Sequence, residues 1–342
     1  MALFGGNTKH FGLDIGTNAI RLVQLSGGPD KFTLDAFGVA PIPPGLTQSD
    51  SKLDQQKVSK IIDELVKSSQ IDTKSVVSAI PGTSVFNAVV QLPPMSQSEL
   101  SKAIKYQAEQ NIPLKLDEVK YDWQVIKQNE ATKELTVMII AAARNKVDRM
   151  METFEMAELN VQALETATVA MARSLSSATD PTVMVLDIGS TTTEIAVINN
   201  GVLSQTRSFP LAGFAMTRAV SKQLGLDIAQ AEQFKMKFGL AQDKLEGQVY
   251  KAIEPTLNSI LDEGVRSMKF FQEQFGETVP RIILTGGSSR MPLIAQYIKA
   301  YTGAEVVVGN PWNKISYKPE FSDKLNELGP EFATAVGLAM RD

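Results

Sequence analysis

The sequence predicts an α/β protein made of two similar domains with one inserted subdomain. Three observations carry that expectation. The chain has 342 residues, enough for about two domains at ~100–200 residues each. One tetrapeptide occurs twice, as Leu13-Asp14-Ile15-Gly16 and as Leu186-Asp187-Ile188-Gly189, at an offset of 173 residues or about half the chain, which marks a duplicated unit. Strand-like and helix-like stretches then alternate through both halves.

The first copy, Gly12-Leu13-Asp14-Ile15-Gly16-Thr17-Asn18, opens a strand–turn–strand unit that continues Ile20-Arg21-Leu22-Val23-Gln24-Leu25. The second, Val185-Leu186-Asp187-Ile188-Gly189-Ser190-Thr191, continues Glu194-Ile195-Ala196-Val197-Ile198, and Gly28 and Gly201 keep the offset where each second strand would turn. Residues 32–39 alternate as a third strand, which Pro41, Pro43 and Pro44 end. Leu53, Val58, Ile61, Ile62, Leu65 and Val66 follow helical spacing, and 75–80 is a short apolar strand. Residues 81–143 read as a β-α-β-β insertion. Its first strand is 85–92. Its helix opens on the capping-box pair Ser96 and Glu99, with Met95 and Leu100 as a hydrophobic staple. That helix carries Leu100, Ala103, Ile104 and Ala108 on one face and stops before Pro113, and strands follow at 121–126 and 135–142.

Helices are expected at 145–159 and 166–175, and in the second half at 211–224, 228–238 and 245–275. Strand 281–285 then runs into Gly286-Gly287-Ser288-Ser289, followed by a helix with Pro292 in its first turn. A strand at 305–308, a polar stretch to 329 and a small-residue helix at 331–339 complete the chain. The division that follows is 1–80 with 144–178 and 330–342 as the first domain, 81–143 as the insert, and 179–329 as the second domain.

Composition narrows the chemistry. Hydrophobic residues make up 43% and charged residues 21%, the balance of a chain with a sizeable core. Lys and Arg total 34 against 38 Asp and Glu, a net charge of −4, which argues against a nucleic-acid partner. With no cysteine and one histidine, His10, disulfides, thiolate nucleophiles, Cys-ligated zinc and multi-His metal sites are excluded. Residues 1–16 hold no apolar stretch of signal-peptide length, and the longest apolar run, 135–143, falls short of the ~20 residues of a membrane span. The expected compartment is the cytoplasm. Neither a Walker nor a Rossmann glycine motif occurs.

The repeated hairpin suits phosphate. Each strand delivers an aspartate at its end, and Gly16 or Gly189 permits a turn whose amides and hydroxyls can face an anion. Asp14 and Asp187 repel phosphate themselves, so their natural partner is a hydrated Mg²⁺ bridging to it. The plainer alternative, an ordinary hairpin with an Asx turn, is hard to sustain for two copies at this spacing. Gly286, Gly287 and Ser288 can lay backbone against a nucleoside or form a plain strand-to-helix turn. Glu232 and Lys235 can bind ribose hydroxyls or form a surface ion pair. Glu165, 22 residues before Asp187, can orient water or favour a helix N-terminus.

The ordered set of Asp14–Thr17, Glu165, Asp187–Thr191, Glu232 with Lys235, Thr285–Ser288 and Ala335-Val336-Gly337-Leu338-Ala339 resembles the actin–hexokinase–chaperone ATPase superfamily over almost the whole chain. That resemblance implies an actin-like, ribonuclease-H-like duplicated fold, each half around a five-stranded sheet, with ATP and Mg²⁺ in the cleft. It implies that Gly16, Thr17, Asn18, Gly189, Ser190 and Thr191 cradle phosphates, that Asp14 and Asp187 hold the metal, and that Gly286, Gly287 and Ser288 meet adenosine. Glu232 and Lys235 match ribose and adenine contacts, Glu165 and Asp187 catalytic positions, and Arg21 the place of a phosphate-touching lysine.

Within it the chain resembles the PilM family of type IV pilus assembly. Four stretches carry that match: Phe11-Gly12-Leu13-Asp14-Ile15-Gly16 with Ile20-Arg21-Leu22-Val23, Glu109-Gln110-Asn111-Ile112-Pro113, Asn310-Pro311-Trp312, and Gly329-Pro330-Glu331-Phe332-Ala333. The insertion resembles the extra subdomain of the division protein FtsA. Membership implies that an N-terminal cytoplasmic peptide of the membrane protein PilN docks between insert and first domain, for which Ile104, Ala108, Ile112 and Pro113 are the candidate contacts. Pilus ATPases, other platform proteins and self-association are further partners it implies. The last helix runs to Arg341-Asp342 without an FtsA-type amphipathic anchor, so the expectation is recruitment to the inner face of the cytoplasmic membrane through a partner, with no direct insertion. Tight nucleotide binding with slow hydrolysis is expected. The rival readings are a self-polymerising FtsA-like filament and a small-molecule kinase of the same fold.

Overall fold

The computed structural model describes residues 9–29 and 31–341. Residues 1–8, within the segment read as lacking a signal peptide, and Asp342, read as the chain's end beyond the last helix, lie outside the described residues.

Strands β1 (Phe11–Ile15), β2 (Ala19–Gly28) and β3 (Lys31–Pro41) form an antiparallel meander. Helix α1 (Lys52–Ser68) returns the chain to β4 (Ser75–Ile80), which pairs parallel with β1. The insert follows as β5 (Val85–Leu92), α2 (Gln97–Asn111), β6 (Val119–Gln128) and β7 (Leu135–Ala143), with strand order β5-β7-β6. Ser96 and Glu99 make both hydrogen bonds of the capping box at the start of α2. After α3 (Arg144–Met156), β8 (Asn160–Thr166) joins β4 in parallel, and α4 (Ala167–Leu175) leads to the second half.

That half repeats the plan: the meander β9 (Val183–Ile188), β10 (Thr193–Asn199) and β11 (Val202–Phe209), then α5 (Gly213–Leu224), α6 (Ile228–Phe238), α7 (Gln248–Phe275), β12 (Arg281–Thr285), α8 (Ile294–Thr302) and β13 (Glu305–Val308). The sheet order β11-β10-β9-β12-β13 mirrors β3-β2-β1-β4-β8 strand for strand. The two-residue β14 (Ile315–Ser316), α9 (Ser322–Leu328) and α10 (Ala333–Ala339) complete the chain. No helix among the described residues is long and apolar enough to cross a membrane.

The two large sheets are covered by helices on both faces because their central strands carry nearly continuous β-branched and leucine residues. Phe11, Leu13, Ile20 and Leu22 pack on Val58, Ile62 and Leu65 of α1 and Phe154 of α3. Met184, Leu186, Ile195 and Val197 pack on Ile253, Leu257 and Ile260 of α7. Met171 and Ala172 of α4 cover the other face of the second sheet at Val183, Val185 and Ala196.

Several expectations are corrected. Strands β8 and β11 were not anticipated, and β8 takes in Thr166 from the expected helix 166–175; β11 is an edge strand rich in polar side chains, Ser204-Gln205-Thr206-Arg207-Ser208, so its alternation is weak. Pro292 precedes α8 instead of lying in its first turn, since Leu293 is the N-cap. The second-domain boundary at 329 also moves. Trp312, Ile315 and Leu325 join Val23, Phe32 and Phe332 in one core, and β14 extends the first sheet to six described strands by pairing with β3. Burying the Trp312 indole against Phe37 and Phe332 outweighs chain order, because a large aromatic belongs wherever its area is covered.

Candidate functional site

The repeat survives at atomic detail. Gly16 N donates to Ala19 O at 3.0 Å and Gly189 N to Thr192 O at 3.1 Å, the same turn in both halves. The two turns meet: Thr191 Oγ1 lies 3.3 Å from Thr17 Oγ1, and Gln48 Nε2 donates to Thr191 Oγ1 at 3.3 Å. The predicted phosphate loops therefore face each other.

Asp14 and Asp187 end β1 and β9 beside these turns. Burial pushes the Asp14 carboxyl above its usual range, against the pull of Arg21. Asp187 is pushed up to about 7, first by burial and then by the charge of Asp14. A neighbouring carboxylate disfavours ionisation, and a cation held by both would relieve that repulsion. The Oδ1 of Asp187 is buried without a hydrogen-bond partner, so the aspartates fit a divalent ion. Among the described residues no group of three or more histidines or carboxylates is placed to hold a metal alone. A cation there completes its shell with water and ligand oxygens, the habit of Mg²⁺.

Gly286 has φ +82°, and a Cβ on it would overlap Asp187 Oδ1, so the turn after β12 can pass the aspartate only as glycine. Register explains the closeness, since Thr285 pairs with Asp187. Ser288, Gly189 and Lys235 converge on Gly213 at the start of α5: a Cβ there would lie 2.5 Å from Ser288 Oγ, 3.0 Å from Gly189 O and 3.3 Å from Lys235 Nζ. Gly189, Ser190, Gly286, Gly287, Ser288, Glu232 and Lys235 thus gather near Gly213 at the start of α5.

Some predicted roles change. Lys235 is only 3% exposed, and its ammonium reaches Gly213 O at 3.2 Å, Thr217 Oγ1 at 3.0 Å and Glu232 Oε2 at 2.8 Å. Its three protons are spent on protein acceptors, so it orients the half-exposed Glu232 rather than reaching a ligand. Glu165 ends β8 instead of starting a helix, and Thr166 caps α4. Its oxygens accept from Arg173 at 2.7 and 2.9 Å and from Arg341. Doubly clamped, it ties β8 and α4 to the end of the chain and is no free base for water. Arg21 pairs with Glu331. In the insert, Ile104, Ala108 and Ile112 are buried with Leu100, Val137 and Ile139; they build the subdomain's core and present no surface to a peptide. Of the four candidate contacts, only Pro113 is exposed.

Glu194 was missed as a site residue. It sits seven residues after Asp187, as Arg21 does after Asp14, and pairs in register with Asp187. Its Oε1 accepts from Gly82 N at 3.2 Å, while Oε2 is buried without a partner. Burial, then the charge of Asp187, pushes it up to about 8. The 173-residue offset itself was the signal that pointed to it.

Two β-sheets of the same strand order, with paired turns that meet at Thr17 and Thr191 and an inserted subdomain, define an actin-like protein. The comparisons agree. The chain belongs to the family described as type IV pilus assembly protein PilM, whose model matches residues 12–342. A solved structure, the PilM-PilN type IV pilus biogenesis complex, superposes with TM-score 0.86 at 29% identity, covering 98% of this chain and 99% of that one. MreB 5 of Spiroplasma citri bound to AMPPNP shares the fold at TM-score 0.53 and 12% identity, over 97% of this chain and 95% of that one. The cell division protein FtsA of Neisseria meningitidis serogroup B is 25% identical over 95% of this chain and 88% of its own length.

Proposed function

We propose that this protein is an ATP- and Mg²⁺-binding adaptor of type IV pilus assembly that captures the N-terminal cytoplasmic peptide of PilN and is thereby recruited to the inner face of the cytoplasmic membrane. The observation that carries the nucleotide half is the pair Asp14 and Asp187, half-buried beside two like turns that touch through Thr17 and Thr191. In this reading Asp14 and Asp187 hold the hydrated metal, Thr17, Asn18, Ser190 and Thr191 face the phosphates, and Gly286 to Ser288 back the nucleoside. The metal would neutralise phosphate charge between two acids that otherwise repel it. Hydrolysis is slow, because Glu165 is engaged by Arg173 and Arg341 and the Glu194 carboxyl is held mostly neutral. The PilN half rests on the likeness to a PilM-PilN complex.

Two measurements test the halves separately. Calorimetry with Mg-ATP should show binding that Asp187→Ala weakens by at least about tenfold, the scale of one charge-assisted contact; unchanged affinity would remove Asp187 from the site. Pull-down from membranes should recover PilN. Recovery of no PilN, or ATP-driven pelleting of the pure protein, would favour the filament reading.

A further inference from the structure

The stretch Gly329-Pro330-Glu331-Phe332-Ala333 has no part in the site as drawn above, yet it runs through it. We propose that Glu331 is the positioning residue that presents Arg21 to the nucleotide phosphates and ties it to the nucleoside loop across the cleft. The proposal rests on the ATP reading.

Glu331 lies in the turn Gly329–Glu331 between α9 and α10. Its Oε2 accepts from Arg21 Nη2, and its Oε1 accepts from Arg290 Nη1 at 3.0 Å. Arg21 belongs to β2 of the first half, and Arg290 closes the turn Gly287–Arg290 of the second. The Arg21 and Glu331 side chains are 15% and 17% exposed, so this pair is screened far less than a surface one. The same turn also grips the loop's backbone. Pro330 O accepts from Gly286 N at 3.0 Å and from Thr285 Oγ1, and the Glu331 carboxyl carbon lies 4.0 Å from where a Cβ on Gly287 would sit.

The guanidinium's other edge faces the first turn. Arg21 Nη1 stands 3.7 Å from the place a Cβ would take on Gly16, while Nε, on the same edge as Nη2, is buried without a partner. Glu331 therefore occupies one corner of a planar fork and leaves donors beside the turn where a phosphate would arrive. It also settles a competition. Asp14 is the register partner of Arg21, so a guanidinium released from Glu331 has that aspartate as its next acceptor. Such a pair would remove one of the two carboxylates suited to the metal. Holding Arg21 on Glu331 keeps the positive donor and the metal-binding acid apart.

A double-mutant cycle tests this, with Mg-ATP affinity read by calorimetry for wild type, Glu331→Gln, Arg21→Ala and the double variant. Glu331→Gln should weaken Mg-ATP by about tenfold, Glu331→Asp should recover part of the loss, and Glu331→Gln should add nothing once Arg21 is alanine. A purely structural role would cost affinity in both backgrounds alike and would overturn the proposal. So would unchanged or tighter binding in Glu331→Gln, which would make the carboxylate a competitor of phosphate. Should Glu331→Gln not fold, the cycle is run with Glu331→Asp, and additivity with Arg21→Ala overturns the proposal equally. A wild-type protein that binds no ATP would instead defeat the nucleotide reading itself.

Discussion

Arg21 and Glu194 hold equivalent places in the two halves, each opposite an aspartate in register, yet they carry opposite charges. In the first half the pair is Asp with Arg, and the arginine pulls the aspartate's pKa back down. In the second it is Asp with Glu, and the charge of Asp187 adds to burial in pushing Glu194 up. Glu194 is pushed up to about 8 from 4.5, so the native state keeps a proton that the unfolded chain gives up. Stability therefore falls as pH rises from about 4.5 and stops falling past about 8. Glutamine imitates the protonated acid, can accept from Gly82 N, and cannot ionise. Thermal melts of Glu194→Gln should show a smaller loss of Tm between about pH 5 and about pH 8 than wild type. Equal slopes would mean that Glu194 is ionised in the fold.

At the scale of elements, the insert shows how sequence pattern misleads about function while reporting structure faithfully. The spacing of Leu100, Ile104 and Ala108 correctly gives the apolar face of α2, and Ser96 with Glu99 gives its start. That face points into the insert's own three-stranded sheet, because a β-α-β-β unit must cover one face of its sheet to be stable. Ile104 is fully buried. Ile104→Ala should destabilise the insert by about 2–5 kcal/mol, seen by hydrogen exchange as early loss of protection over 85–143, with the two large sheets unaffected. Simple loss of partner binding with full protection would restore Ile104 to the surface. The same contrast runs through the site. The aspartates and the glycine turns were legible because both follow from the repeat. The Lys235–Glu232 pair was legible from its i, i+3 spacing, but the partners of Glu165 and Arg21 were not, because Arg341 and Glu331 lie 176 and 310 residues away in the chain. Edge strand β8 escaped for a related reason: parallel pairing with β4 is decided by the fold and leaves little period in Asn-Val-Gln-Ala-Leu-Glu-Thr.

Across the whole molecule, the halves are stitched together at places that the duplication alone would not supply. Trp312 and β14 carry the chain from the second sheet back into the core of the first. Helix α10 is tied to α4 through Ser174 Oγ and Ala333 O at 2.7 Å and through Arg173 and Gly337 O at 2.5 Å. Glu331 spans the cleft between Arg21 and Arg290, and Gly82, at the neck of the insert, donates to Glu194 of the second sheet. With so many ties, the two halves should not melt apart. A ligand gripped by both then stabilises everything it connects, by RT ln(1 + [L]/Kd), or about 2.7 kcal/mol at a hundredfold excess over Kd. Calorimetric melts should show one main transition that Mg-ATP moves upward as a unit, and in Asp187→Ala at the same ATP concentration the shift should shrink to about half or less. Two transitions of which ATP moves only one would mean that the nucleotide is held by a single half. The coupling between Asp14 and Asp187 would then have no part in binding.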